Sequence, residues 1–224
     1  MVWIKHYASK LAQAVSVGLD RRFPVCRTGG VTAQEYSIYF DIKILLENIY
    51  MKKSLSLWQL TGFLFTAIAG VLLHFLYDWS NQSVFVAPFS AVNESIWEHM
   101  KLLFFPMFVF ALVERQFIGD DYENYWCAKL AGILLGLTLI PVLYYSYTGI
   151  FGVQLDWLNI AIFFVAAATA YLLETWLLKQ DNLLCLSPLL ALLILCLIGF
   201  AFVVFTYIPP EIPLFQEPQT SMTN

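Results

Sequence analysis

The chain has 224 residues, 60% of them hydrophobic and 12% charged, with a formal net charge of −4 and a mean hydropathy of +0.70. That composition excludes an ordinary soluble domain and reads as an all-α, polytopic membrane helix bundle. With no basic stripe, phosphate loop or dinucleotide fingerprint, nucleic-acid and nucleotide roles find no support.

Residues 1–50 differ from the remainder of the chain. They carry six of the twelve Lys and Arg residues, Lys52 and Lys53 add two more, and no long apolar run occurs among them. Lys5 to Leu19 reads as a short helix and Arg21 to Gly30 as a loop. Thr32-Ala-Gln-Glu35 reads as a capping box opening an amphipathic helix to about Tyr50. Met51-Lys-Lys-Ser then has the form of a fresh start, so residues 1–50 are expected to be an accessory basic extension or a start-site artefact. The membrane domain is expected over 51–208, followed by a Pro-rich tail over 209–224.

A bilayer core requires about 20 residues of helix, and five segments meet that length. They run from about Trp58 to Asp78, Asn93 to Ile118, Trp126 to Tyr147, Trp157 to Leu178 and Ser187 to Tyr207. Positive charges set the orientation. The N-terminal region, a loop with Arg115 and Lys129, and a loop with Lys179 fall on one side, with Lys101 alone on the other. The expected location is the cell membrane, with the N-terminus cytoplasmic and the tail outside. Cys26, Cys127 and Cys185 then face the cytoplasm and Cys196 lies within the fifth span, so no disulfide is expected.

The first span carries His74 near its outer end, followed by the interfacial Tyr77 and Trp79. The connection from Gln82 to Val92 is apolar for a loop and is expected to cover what lies beneath it. The second span opens on Val92-Asn-Glu-Ser-Ile-Trp-Glu-His-Met-Lys101, a dense polar block. A charge at the middle of a spanning helix costs roughly 2.5–3.5 kcal/mol, so these groups need partners. Two readings compete. In the first, Asn93 caps the helix, Glu94 and Glu98 pair with Lys101, and Lys101 snorkels outward. In the second, the block faces His74 across a closed pocket, with Pro106 kinking the helix about one turn below.

Farther on, Gly132-x-x-x-Gly136 and Ala166-x-x-x-Ala170 are small-residue faces that permit close helix contact, within the chain or in a homo-oligomer. Glu114 and Glu174 lie near the cytoplasmic span ends, where pairing with Arg115 or Lys179, or hydration, accounts for them. The acidic loop Gly119–Glu123 lacks the spacing of a calcium loop and reads as solvated.

The block from Phe89 to Lys101, after His74-x-x-Tyr77-x-Trp79-Ser80, resembles a family of small bacterial membrane proteins, a domain of unknown function. The resemblance covers about Met51 to Lys179 and implies about five spans but no activity. Ser95-x-x-x-His99 is also similar to an element of the intramembrane zinc hydrolases that include alkaline ceramidases and adiponectin receptors. The present chain departs from them in having five spans instead of seven and no histidine after His99.

Three functions fit this reading. The first is a membrane-embedded metal-dependent hydrolase. His74, His99 and Glu98 would ligate a divalent metal such as zinc, and Glu94, Glu98 and Ser95 would serve as catalytic groups. The second is a proton-coupled carrier using His99, Glu98 and His74 as relay groups. The third is an accessory protein without enzymatic activity. In each, the lipid bilayer is the immediate partner, and a small molecule or lipid would be the substrate.

Overall fold

The computed structural model describes residues 33–180 and 187–217, with side chains from Ser54 onward within those ranges. The chain divides into two units, Met1–Lys53 and Ser54–Asn224. Of the first unit only helical backbone from Ala33 is described. The expected helix over Lys5–Leu19, the loop over Arg21–Gly30, Thr32 and Cys26 lie outside the described residues, as do Cys185 and Pro218.

Five α-helices follow one another with no strand among the described residues: α1 (Ala33–Trp79), α2 (Ile96–Ile118), α3 (Tyr125–Phe151), α4 (Asp156–Leu178) and α5 (Pro188–Tyr207). Short 3-10 turns occupy Gly119–Asp121 and Pro213–Phe215. The helix expected to stop near Tyr50 continues through Lys53, and its apolar stretch of membrane length is Ser54–Trp79. All five helices are long and apolar enough to cross a bilayer. Even the shortest, α5 with 20 residues, is about 30 Å long. The chain is an integral, multi-pass membrane protein. Lipid offers backbone groups no hydrogen bonds, so helices that satisfy their own are the natural solution for such segments.

The interior is built from small, aliphatic and aromatic residues. Leu103, Phe104 and Met107 of α2 cluster with Ile133, Leu137 and Ile140 of α3, Ala166, Ala167 and Ala170 of α4, and Leu195 and Phe202 of α5. The outside of α1 presents Leu60, Leu64, Ile68 and Leu72, an i, i+4 row of exposed apolar side chains suited to lipid. The two small-residue faces are used within one chain. Added bulk at Gly136 would meet Ala170 Cβ at 3.3 Å, and at Gly132 it would collide with Glu174 Cγ. Neither face is therefore left open for a second copy, because each already fills the close approach of α3 and α4.

Among the described residues Cys196 is a free thiol. The expectation of no disulfide also turns on Cys26 and Cys185, which lie outside the described residues.

Candidate functional site

The site is shaped by how α1 ends and α2 begins. Helix α1 closes on Asn81 and Gln82, both in left-handed conformation with φ of 54° and 57°. Gln82 N–H donates to Tyr77 O and Asn81 N–H to Asp78 O, the paired bonds of a Schellman stop. Asn tolerates this geometry better than most non-glycine residues. The connecting segment then folds back on the helix it has left. Ser90 Oγ accepts Tyr77 N–H at 2.9 Å and donates to Leu73 O, two groups that an undisturbed helix joins directly. The connection is thereby fixed beside His74. Tyr207 Oη ties it to the end of α5 by donating to Val84 O at 2.7 Å.

Helix α2 is capped by Ser95, whose hydroxyl accepts Glu98 N–H while Asn93 Oδ1 accepts Ser95 N–H. Glu94 thus precedes the helix, and Glu98 lies inside its first turn. The expected pairing of both with Lys101 therefore holds only for Glu98, and the two serve different partners. Glu98 Oε2 takes Val92 N–H at 2.8 Å and Lys101 Nζ at 2.6 Å. Lys101 does not snorkel outward. Its side chain is fully buried, and its ammonium also donates to Ala87 O at 3.0 Å and Thr206 Oγ1 at 2.9 Å. With three acceptors in place, burial is satisfied internally. The polar block is therefore both a capped helix start and a contributor to a pocket.

Glu94 turns the other way. One oxygen lies 3.7 Å from His74 Nε2 and the other 3.5 Å from His99 Nε2, and the two imidazole centroids are 5.5 Å apart. One donor atom from each of the three residues falls within 4.8 Å of the others. Two tetrahedral ligands at about 2.0–2.1 Å from zinc stand roughly 3.3–3.4 Å apart, close to the N–O separations seen here. His99 Nδ1 sits 2.9 Å from Ser95 O, a backbone acceptor. Donation there assigns the hydrogen to Nδ1 and leaves Nε2 as the lone-pair nitrogen facing Glu94, the arrangement that orients metal-binding imidazoles. The Glu94 side chain is 66% exposed, so the group is open on that side. Beside it, a pocket is lined by His99, Tyr144, Asn159, Ile162 and Phe163. There Tyr147 Oη donates to Asn159 Oδ1 at 2.6 Å, which orients the Asn159 amide.

Of the residues singled out from sequence, the structure thus groups His74, Glu94 and His99. It engages Glu98 with Lys101 as an ion pair apart from that group, and places Ser95, 1% exposed, as the helix cap.

The chain belongs to the family of unknown function DUF6512, whose model matches residues 47–223. No curated protein and no solved structure matches it. The family carries no activity to transfer, so function must be argued from the groups themselves.

A second cluster escaped the sequence reading. Near the other ends of these helices Glu114, Lys129 and Glu174 are all buried, with Lys129 Nζ 2.5 Å from Glu114 Oε2 and 2.6 Å from Glu174 Oε2. Lys129 is not a loop residue but lies in the second turn of α3. Arg115, the expected partner of Glu114, pairs with Asp120 at 2.6 Å instead, so the acidic loop is also not merely solvated. The available signal was faint: three charges, each about one turn inside a span end on the same side.

Proposed function

We propose that His74, Glu94 and His99 hold a divalent cation of the zinc class, and that the protein is a membrane-embedded metal-dependent hydrolase. The observation that carries this reading is the convergence of two imidazole nitrogens and one carboxylate from three separate segments within 4.8 Å. Two nitrogens and an oxygen with an exposed fourth side form an open set, and a bound ion of this class supplies an activated water at neutral pH. The protein's own part is positional. Ser95 O fixes the His99 tautomer, the Ser90 bridge holds the connection beside His74, and Tyr144 and Asn159 border the space where a substrate would lie. Glu98 is not assigned as general base, since Lys101 and Val92 already hold its carboxylate.

Elemental analysis of detergent-purified protein, with calorimetric titration of zinc into chelator-treated protein, tests the proposal. One equivalent of metal is expected in the native chain, lost in both His74→Ala and His99→Ala while each variant keeps its elution profile. Absence of metal together with absence of zinc binding would overturn it. The three groups would then be better read as the relay of a proton-coupled carrier or as a polar contact in an accessory protein.

A further inference from the structure

The internal cluster has an imbalance that the site near His74 does not share. Glu114 is fully served: Oε1 accepts Gln59 Nε2 at 3.0 Å, and Oε2 accepts Tyr125 Oη at 3.0 Å and Lys129 Nζ at 2.5 Å. Glu174 is not. Its Oε2 meets Lys129, but Oε1 is buried with no hydrogen-bond partner, and Gln59 Oε1 is a second buried oxygen of the same network without a donor. Two carboxylates facing one ammonium leave the cluster one positive charge short when all three are ionised.

Among the described residues, the groups packed around it do not make up the difference. Tyr125 and Tyr171 present ring faces 5.5 Å and 5.6 Å from Lys129 Nζ, and Tyr171 Oη is engaged with Thr66 Oγ1 at 2.9 Å. Arg115 lies over the Tyr125 ring at 5.9 Å but is held by Asp120. An uncompensated charge in such a setting is resolved in proteins by neutralisation. Gly132 reinforces the point, because Glu174 packs directly on its backbone where no added atom would fit.

We infer that the Glu114–Lys129–Glu174 cluster is a proton-binding site, with the proton held on Glu174 and Glu114 remaining the counter-ion of Lys129. The assignment to Glu174 follows from donors: a carboxylate that accepts three hydrogen bonds is stabilised as the anion, and one with a bare oxygen is not. A proton fits better than a sodium ion, which would need several oxygen ligands beside an ammonium that repels it. The site binds one exchangeable proton inside the bundle, about one helical turn from the span ends opposite His74 and His99.

Infrared difference titration of the full chain in lipid nanodiscs tests this, reading the C=O stretch of a protonated carboxyl group and its shift in deuterium oxide. A buried protonated-carboxyl band is expected at neutral pH, lost on alkalinisation, absent in Glu174→Gln and unaffected by exchanging choline for sodium. Glu114→Gln is expected to abolish the neutral-pH band as well, because one carboxylate then balances one ammonium. A native chain without the band at neutral pH, a band surviving in Glu174→Gln, or a band abolished by sodium would each overturn the inference. The native-chain measurement decides even if a variant fails to accumulate.

Discussion

At the scale of single residues, the polar block shows one short segment dividing its groups between structure and site. Lys101 and Glu98 form a buried pair beside a capped helix start, whereas Glu94, two residues before the helix, is free to reach the imidazoles. Removing one partner of a buried pair leaves an uncompensated charge and costs about 3–5 kcal/mol, more than removing both. Lys101→Met is therefore expected to lower thermal stability in detergent sharply, and Glu98→Gln combined with Lys101→Met to recover much of the loss. A single variant as stable as the native chain would show that the pair is not strained by burial. Ser95→Ala removes only the cap and should cost about 1 kcal/mol, leaving any metal bound.

The scale of helices and their connections explains why the site is where it is. The Schellman stop at Asn81 and the Ser90 bridge into α1 turn an apolar connection into a clamp, and the His74 and His99 rings meet beneath it. The α3–α4 contact depends on small residues instead. An added Cβ at Gly132 would overlap Glu174 Cγ, so Gly132→Ala must displace Glu174 from Lys129. Overpacking of this kind costs about 1–3 kcal/mol. Gly132→Ala is expected to lower the unfolding temperature, and a larger loss than from Gly149→Ala, whose surroundings are empty, is the internal comparison. Equal effects at the two positions would mean that close packing at Gly132 contributes little.

For the whole molecule, orientation is the physical question that charge can address. Two of the cations used to infer it, Lys101 and Lys129, are buried in ion pairs, so the asymmetry rests on Arg115, Lys179 and the basic N-terminal residues. Arg115 lies in the last turn of α2 and Lys179 caps α4, both at the helix ends opposite His74 and His99. Cysteine-accessibility labelling is expected to place Asp120 and Lys179 in the cytoplasm and Gly152 to Asp156 outside. External labelling at Asp120 would invert the assignment, and with it the side on which Glu94 is exposed.

The sequence by itself determined the five spans, to within about four residues at each end, because hydropathy is a local property and lipid enforces helix wherever it is sustained. It also pointed to His74 and the block around His99, since charges among apolar residues are expensive wherever they occur. What it could not determine was who partners whom. Lys129 reaches Glu174 across 45 residues, and Gln59 reaches Glu114 across 55. Such pairings depend on how each helix is rotated about its own axis. Glu94 and Glu98 parted company because the helix begins at Ile96 and not at Asn93, a shift of three residues that redirects a side chain. Rotation and helix start are settled by packing among Gly132, Gly136, Ala166 and Ala170 and by the clamp at Ser90, and those contacts exist only once the helices have assembled.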